Sequence, residues 1–294
     1  MTKPDTQSLP PVGSLVGRTA LITGAAHGLG AALAAGLFLR GANVLLADID
    51  RDAVDARALG LDDSGARAQS VHIDLSEEGA AAVAIEAAKS RWGVVDILVN
   101  NAAVTGTASL WEIEPAEWDR VMAVNLRAAF LLSRLAGAGM RARGHGCMIN
   151  IASLAGQVAR PDGIRYATSK GGLLAMARVF AAELAPYGVT VNAVAPAILD
   201  TTMLTRIGAE RAAAPVAAIP TGRVGKPEDV AALRTLPTTS MAARSCAEAK
   251  RKLNGEARRD AGRDCCTRAA LRCGYRRNLH RPRDRGPARG PSLL

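Results

Sequence analysis

The sequence has few aromatic residues, few cysteines and no long hydrophobic run. Aromatic residues make up 3% of the 294 residues, and the five cysteines are too few for the disulfide frameworks of small secreted domains. No uninterrupted apolar run approaches the roughly 20 residues that span a bilayer, so we expect no membrane segment. Residues 1–14 lack the basic-then-apolar layout of a secretory signal, and we therefore expect a cytoplasmic protein.

Large apolar residues are missing from the end of the chain. Residues 234–294 contain no Val, Ile, Phe or Trp, and they carry 16 Lys+Arg against 5 Asp+Glu. Residues 1–233 carry 21 against 22, so the net charge of +10 resides in the last 61 residues. This composition excludes a buried strand there, and we predict a basic, mostly disordered tail over 234–294.

The tail is open to three interpretations. Its basic side chains could neutralise nucleic-acid phosphates, but a single aromatic residue, Tyr275, offers no platform for base stacking. Cys265, Cys266, Cys273 and His280 could bind a metal, but adjacent cysteines lack the usual C-x₂₋₄-C spacing, which favours unpaired thiols and no metal site. An out-of-frame translation of GC-rich DNA produces such Arg-, Ala- and Pro-rich text. We favour this third interpretation, which resequencing of the gene tests.

The chain from Leu15 to Leu233 alternates short β-branched runs with Ala-rich segments of helical period. Strands that read as continuous apolar runs and alternate with helices are typical of a parallel sheet covered on both faces. We predict one α/β domain over 15–233, a doubly wound parallel sheet, after a flexible extension over 1–14. The predicted strands are Thr19–Thr23, Asn43–Asp48, Ser70–Asp74, Val95–Asn100, Cys147–Ser153 and Thr190–Val194, and the predicted helices are Leu29–Arg40, Glu77–Trp92, Pro115–Arg143 and Tyr166–Tyr187.

A glycine-rich turn follows the first predicted strand. Gly24, Gly28 and Gly30 would permit a tight turn and a close approach of backbone N–H groups to a pyrophosphate, although an ordinary strand-to-helix loop is the alternative. Asp48 ends the second strand, where a carboxylate accepts ribose hydroxyls and repels a 2′-phosphate, which favours NAD over NADP. Alternatively, Asp48 is a polar strand end. His27 is either an exposed turn histidine or a cation that softens this preference.

Tyr166 and Lys170 are four residues apart and so share one face of a predicted helix. A nearby ammonium stabilises phenolate, so we expect the pKa of Tyr166 to fall toward neutrality. Ser153 ends the fifth predicted strand, at the edge where open α/β sheets place their active sites. A Tyr-x-x-x-Lys pair alone is common on helix surfaces, but this combination with the glycine-rich turn is not.

These motifs, in this order, resemble those of the short-chain dehydrogenase/reductase family over residues 15–233, about three-quarters of the chain. The matching segments are the turn Thr23 to Gly30, Asp74-Leu75, Asn100-Asn101-Ala102-Ala103, the set Asn125, Ser153, Tyr166 and Lys170, the segment Pro196 to Thr201, and Gly222 to Val230.

The resemblance implies four catalytic residues. Tyr166 would exchange a proton with the substrate oxygen, and Lys170 would lower the pKa of Tyr166 and hold the nicotinamide ribose. Ser153 would hydrogen-bond the substrate oxygen, and Asn125 would hold a water that links Lys170 to solvent. The residues implied to contact the dinucleotide are Gly24, His27, Gly28, Leu29, Gly30, Asp48, Asp74, Leu75, Asn101, Ala102, Tyr166, Lys170, Pro196, Ile198 and Thr201.

The resemblance therefore implies an NAD(H)-preferring oxidoreductase that interconverts a secondary alcohol and a ketone, similar to the 3-oxoacyl reductase and the sugar and polyol dehydrogenase branch. NADP is the less favoured cofactor. The family's last helix and seventh strand have no counterpart after Leu233. Their loss would expose the sixth strand and remove an interface of the homo-oligomer that the family implies. The alternative function is an inactive remnant that at most binds dinucleotide.

Overall fold

The computed structural model describes residues 14–158, 161–202, 204, 219 and 222–231. Six strands and seven α-helices alternate along this part of the chain. The strands are β1 Thr19–Thr23, β2 Asn43–Asp48, β3 Ala68–His72, β4 Ile97–Asn100, β5 Gly146–Ile151 and β6 Val189–Val194. The helices are α1 Gly28–Leu39, α2 Arg51–Leu61, α3 Ala80–Trp92, α4 Pro115–Met122, α5 Ala128–Arg143, α6 Ile164–Leu184 and α7 Pro227–Ala231.

The six strands form one sheet in the order β3-β2-β1-β4-β5-β6, and every neighbouring pair is parallel. The chain moves outward from β1 to β3 and then returns to place β4 on the other side of β1. Such a reversal opens a crevice at the carboxyl ends of the central strands, which is where α/β sheets bind ligands. The predicted fold class, a doubly wound parallel sheet, is confirmed.

Hydrophobic side chains from the strands pack into two cores, one on each face of the sheet. On one face Leu21, Leu45 and Leu98 contact buried residues of α3, α5 and α6. On the other face Ile22 and Leu46 join residues of α1 and α2. Alternate residues of β1 and β2 thus enter opposite cores, as the two-residue period of a strand requires. Both faces are covered, which explains why these strands read as continuous apolar runs.

Helix α2 was not among the predicted helices. Two of its eleven residues, Val54 and Ala58, are buried, so its apolar period is too sparse to detect. Asp50 starts the helix, because its side chain accepts a hydrogen bond from the Ala53 N–H. The predicted helix Pro115–Arg143 is instead α4, a π-helical segment over Ala123–Arg127, and α5.

The strand boundaries differ most at β3, which ends at His72 rather than at the predicted Asp74. Asp74 lies in a turn, where its carboxylate accepts hydrogen bonds from the backbone N–H and hydroxyl of Ser76. A short aspartate that bonds the backbone two residues on favours a turn over a strand. Strands β1 and β2 have the predicted boundaries.

Among the described strands, β6 lies at an edge of the sheet, as predicted. After β6, Leu199 forms an isolated parallel bridge with Gly225. The bridge is followed by α7, whose Val230 packs against the core beside α1. A helix therefore begins at Pro227, whereas the prediction that the family's last helix and seventh strand have no counterpart after Leu233 falls outside the described residues. The predicted extension, apart from Ser14, and the tail over 234–294 lie outside the described residues.

One helical stretch in the described part of the chain, residues 115–143, is long and apolar enough by length and composition to span a membrane. Half of its apolar window is buried inside the protein. Its buried residues, among them Leu132, Ala136 and Met140, belong to the core on one face of the sheet. Core helices of globular domains pass the same test, and this stretch packs as such a helix.

Candidate active site

The glycine-rich turn connects β1 to α1 at the carboxyl edge of the sheet. Gly24 and Gly28 have positive φ values of 64° and 51°, which favour glycine. A Cβ on Gly24 would lie 2.8 Å from the Ala102 Cα, and a Cβ on Gly30 would overlap the Gly24 carbonyl oxygen. The turn therefore needs glycine both for its conformation and for its close packing on the segment after β4.

Thr23 and Asn101 hold this turn against the end of β4. The Thr23 hydroxyl accepts hydrogen bonds from the backbone N–H groups of Asn101 and Ala102, each at 3.0 Å. In return, the Asn101 amide donates to the carbonyls of Thr23 and Gly24. Asn101 and Ala102, predicted to contact a dinucleotide, thus shape the turn directly. Thr23 entered the prediction through its motif alone, without this role.

The N-terminus of α1 points its first N–H groups toward the crevice. His27 precedes the helix without capping it through its side chain, and the first turn carries no acidic residue. Leu29, which follows Gly28, is buried and anchors this turn in the core. Unpaired N–H groups and the helix dipole favour an anion at this position. A pyrophosphate fits this end of the helix, because Gly24 and Gly28 have no side chains that would fill the space beside it.

Asp48 lies beside the turn, as the sequence predicts. Its carboxylate accepts one hydrogen bond from the Ala26 N–H, at 2.9 Å, and another from the Asp50 N–H, at 3.0 Å. A carboxylate has about four lone-pair positions, so acceptors remain for two ribose hydroxyls. The His27 Nε2 atom lies 3.0 Å from the Asp50 carboxylate. Asp50 is not among the residues that the sequence predicts for the site.

Asp74 and Leu75 follow β3 at the same edge of the sheet. Hydrogen bonds from the Ser76 hydroxyl and backbone N–H lower the pKa of Asp74, with a smaller contribution from Arg120. The carboxylate is therefore an oriented acceptor. Leu75 is buried in the core. Its predicted contact with the cofactor stays a prediction.

Ser153 and Tyr166 meet at the carboxyl end of β5. Ser153 lies two residues beyond the strand and accepts a hydrogen bond from the Ala155 N–H, at 3.1 Å, at the start of the 3₁₀ turn Leu154–Gly156. Tyr166 lies in the first turns of α6, and an interaction of its hydroxyl with the Ser153 side chain lowers the pKa of the phenol. The structure thus brings together two hydroxyl groups thirteen residues apart in sequence.

Lys170 is buried beneath this pair, with 2% of its surface exposed. Its Nζ donates a 2.6 Å hydrogen bond to the Ile151 carbonyl and lies 5.6 Å from the centre of the Tyr166 ring. Burial lowers the pKa of Lys170 to about 8. The ammonium therefore exchanges its proton far more readily than a solvated lysine does.

The pKa of Tyr166 departs from its ordinary value in the direction opposite to the prediction. Burial raises the pKa of Tyr166, and the hydrogen bond with Ser153 offsets part of that rise. The expected lowering by Lys170 is absent, because desolvation of the phenol dominates and the ammonium is directed at the Ile151 carbonyl. The resting tyrosine is thus a neutral proton donor.

Asn125 lies in the π-helical segment and is buried. Its amide donates to the Val104 carbonyl at 2.9 Å and to the Ser169 hydroxyl at 3.0 Å, and its oxygen accepts from the Val104 N–H at 2.8 Å. Ser169 in turn donates to the Tyr166 carbonyl. Asn125 thereby connects the loop after β4 to the helix that carries Tyr166. Its predicted water contact stays a prediction, and its two amide hydrogens are already used by protein groups.

The segment after β6 closes the crevice from the other side. The Pro196 carbonyl accepts a hydrogen bond from the Leu154 N–H, and the Ile198 carbonyl accepts one from Gly225. The Thr201 methyl group lies close to Gly28, where a Cβ would approach it to 3.1 Å. Pro196, Ile198 and Thr201 therefore lie between the Ser153 turn and the glycine-rich turn. That position fits the nicotinamide end of a dinucleotide whose pyrophosphate lies at α1.

No group of three His, Cys, Asp or Glu side chains in the part of the chain that the structure describes could hold a metal ion. The predicted absence of a metal stays a prediction, because Cys265, Cys266, Cys273 and His280 lie outside that part. The chemical groups gathered at the crevice are instead hydroxyl groups, a buried ammonium and backbone N–H donors.

Comparison with known proteins agrees with this geometry. Residues 18–212 match the family model for short chain dehydrogenases. A cis-4-hydroxycyclohexanecarboxylate dehydrogenase from Sinomonas cyclohexanicum is 37% identical over 215 residues, which cover 73% of this chain and 86% of that protein.

Two solved structures share the fold and contain dinucleotide. A 3-ketoacyl-(acyl-carrier-protein) reductase from Brucella melitensis, complexed with NADH, is 33% identical with a TM-score of 0.70, over 78% of this chain and 94% of that one. A protein described as an NAD(P)-dependent gluconate 5-dehydrogenase from Beutenbergia cavernae, with NADP at low occupancy, is 40% identical with a TM-score of 0.69. That match covers 74% of this chain and 88% of the other.

Proposed function

Because the chain belongs to the short-chain dehydrogenase/reductase family, we propose that it interconverts a secondary alcohol and a ketone with NAD(H) as its preferred cofactor. The hydroxyl pair of Ser153 and Tyr166 above a buried Lys170 carries this proposal. The three side chains occupy the carboxyl end of β5, beside a glycine-rich turn that fits a pyrophosphate. The bound dinucleotide would supply or accept the hydride.

Tyr166 is the proton donor for ketone reduction and the acceptor for alcohol oxidation. Its raised pKa keeps the phenol protonated at neutral pH, ready to donate to a substrate oxygen as negative charge develops there. Ser153 holds the same oxygen by a hydrogen bond, which stabilises the developing charge. In the oxidative direction the phenol must first lose its proton, which is less favourable at this pKa.

Lys170 would serve the site through its charge. When a ribose hydroxyl offers an acceptor at the crevice, the ammonium has an alternative to its bond with the Ile151 carbonyl. A movement of Nζ toward the phenol would then lower the pKa of Tyr166 and assist the oxidative direction. Ser153, Tyr166 and Lys170, with Asn125 as support, are the proposed catalytic set.

NAD(H) preference rests on Asp48. Its carboxylate is fixed at the end of β2 and keeps acceptors for ribose hydroxyls, whereas a 2′-phosphate at that position would meet its negative charge. The relatives include a complex with NADH and one with NADP, so the preference is a property to be measured on this chain.

The test is a titration of purified protein with NADH and NADPH, followed by turnover assays on a panel of ketones and secondary alcohols. We expect NADH to bind at least about tenfold more tightly than NADPH. Tyr166→Phe should bind NADH normally and lose turnover about 10²–10⁴-fold. Equal turnover by wild type and Tyr166→Phe would contradict the proposed role of the tyrosine.

A second candidate function is dinucleotide binding without turnover. Its support is the position of β6 at the edge of the described sheet, next to β5, whose carboxyl end precedes Ser153. The same panel separates the two functions, because this candidate predicts NADH binding and no reaction with any substrate. The family acts on small-molecule substrates. The cytoplasmic location and the homo-oligomer stay predictions, and size-exclusion chromatography tests the oligomer.

A further inference from the structure

The corner between the glycine-rich turn and the end of β2 contains a hydrogen-bonded pair, His27 and Asp50, that the proposed chemistry does not use. The His27 Nε2 atom lies 3.0 Å from an Asp50 carboxylate oxygen. The other Asp50 oxygen accepts the Ala53 N–H at the start of α2. Hydrogen bonds to His27 and then to Ala53 lower the pKa of Asp50. Asp50 is therefore anionic and directed at the imidazole.

This pair lies immediately beside Asp48. The Asp50 N–H donates to Asp48, and Asp48 accepts the N–H of Ala26, the residue that precedes His27. The three side chains thus form one connected group that bridges the turn and the β2–α2 corner. A ribose seated on Asp48 would present its 2′ position next to the His27 imidazole.

A histidine at this position would normally favour a 2′-phosphate, because an imidazole N–H donates to a phosphate oxygen whether the ring is neutral or charged. Here the Nε2 atom is already engaged by a carboxylate, and that carboxylate adds a second negative charge beside Asp48. Both effects disfavour a 2′-phosphate. The presence of His27 at this position therefore does not by itself make the site prefer NADPH.

We propose that the Asp50–His27 pair is a second specificity determinant, which prevents His27 from binding the 2′-phosphate of NADP(H). The inference rests on the proposed dinucleotide function and concerns the same site. It assigns the discrimination between the two cofactors to Asp48 and Asp50 together. In this arrangement Asp48 selects the ribose hydroxyls, and Asp50 occupies the imidazole nitrogen that would otherwise bind the 2′-phosphate.

The decisive variant is Asp50→Asn, which removes the charge and keeps a side chain that can cap α2. We expect the Kd for NADPH to fall about tenfold and the Kd for NADH to change less than about threefold. Asp52→Asn is the matched control, because it removes an exposed acidic residue from the first turn of the same helix. The measurement is fluorescence or calorimetric titration of the full chain, without turnover.

A double-mutant cycle shows whether the effect passes through His27. In a His27→Gln background, Asp50→Asn should no longer improve NADPH binding. If the Asp50→Asn protein does not fold, as judged by circular dichroism, Asp50→Ser supplies a neutral cap and the same test.

Three results would overturn the inference: an unchanged NADPH to NADH ratio in the folded Asp50 variant, an equal change in Asp52→Asn, or a gain that persists without His27. If the wild type binds NADH and the Asp50 variant prefers NADH over NADPH as strongly as the wild type does, this inference fails and the proposed function stands. Wild-type protein that binds neither dinucleotide would overturn the proposed function, and the inference with it.

Discussion

Two buried charged side chains lie at opposite ends of the parallel sheet. Asp96 precedes β4 at the amino end and is 5% exposed, and Lys170 lies beneath the carboxyl end of β5 and is 2% exposed. Burial of either charge costs free energy unless partners replace the lost water. The two sites differ in how many protein partners replace the water that each charge has lost.

Asp96 is surrounded by two arginines, a histidine and a backbone N–H group. One of its oxygens accepts the Thr19 N–H at 3.0 Å. The other oxygen lies 3.2 Å from His145 Nε2, 3.5 Å from Arg18 and 3.7 Å from Arg143. These partners come from the segment before β1 and from the connection between α5 and β5. The aspartate therefore fastens the amino ends of the central strands.

Lys170 has one described partner, the carbonyl of Ile151. No carboxylate within ion-pair distance of its ammonium occurs in residues 14–158, 161–202, 204, 219 and 222–231. A buried charge without a counter-charge destabilises the fold and has a perturbed pKa, a combination typical of functional sites. Asp96 thus fastens the sheet through several partners, whereas Lys170, with one hydrogen-bond partner among the described residues, is the ammonium to which the proposed function assigns a chemical role.

The largest expected effect is that of Lys170→Met. We expect turnover to fall about 10²–10⁴-fold while the cofactor-free protein becomes more stable. Lowering of the lysine pKa from 10.5 to about 8 corresponds to a cost of about 3 kcal/mol at pH 7, and the lost hydrogen bond offsets about 1 kcal/mol of the gain. Urea unfolding at pH 7 measures the difference, and a variant less stable than wild type would contradict the comparison.

The pH dependence of that difference checks its cause. Because the folded pKa of Lys170 lies below the unfolded value, the unfolded state binds more protons between about pH 8 and 10.5. Wild-type stability should therefore gain from this group as the pH rises through that window. The gap between wild type and Lys170→Met should narrow from pH 8 to 9.5, and a constant gap would contradict the assignment.

The second-largest effect is expected for a glycine of the glycine-rich turn, compared with a glycine farther along α1. In Gly30→Ala the new methyl group would overlap the Gly24 carbonyl, so NADH binding should be lost and the melting temperature should fall. Gly36→Ala, in the same helix, places its methyl group 3.6 Å from the nearest atom, Ala231 O. It should bind NADH normally and gain up to about 1 kcal/mol. Equal behaviour of the two variants would refute the packing argument.

Asp96→Ala should destabilise the protein without changing the chemistry. It leaves the buried Thr19 N–H unpaired and removes the counter-charge of Arg18 and Arg143, for a loss of about 2–3 kcal/mol in the free energy of unfolding. Asp96→Asn keeps an acceptor oxygen and should lose about half as much. Activity per folded molecule should stay at the wild-type level, and a large fall in kcat would mean that the two ends of the sheet are not separable.

The smallest expected effect is that of His145→Gln. His145 is 44% exposed and shares Asp96 with two arginines, so its loss should cost about 0.5 kcal/mol. Urea unfolding measures the loss in His145→Gln, and the loss in Asp96→Ala, measured in the same way, is the reference. A loss as large as that of Asp96→Ala would show that the contact with His145, rather than the hydrogen bond from the Thr19 N–H, supplies most of the stabilisation by Asp96.

Much of the fold was predictable because its signals are local. The apolar runs of β1 and β2 end at residues with turn-forming or polar side chains, and both strands have the predicted boundaries. Helix α2 was missed because two inward residues do not make a detectable period. The break between α4 and α5 was missed because the π segment at Asn125 depends on hydrogen bonds to Val104 and Ser169, far away in sequence.

The sequence by itself determined the alternation of strands and helices, the glycine-rich turn and the spacing that puts Tyr166 and Lys170 on one helix face. These features follow from backbone conformation and from the helical period, which neighbouring residues specify. The tertiary structure alone decided that the pKa of Tyr166 rises, that Lys170 is directed at Ile151, and that Asp50 engages His27. Desolvation and contacts between distant segments cause these outcomes, and both arise only once the chain has folded.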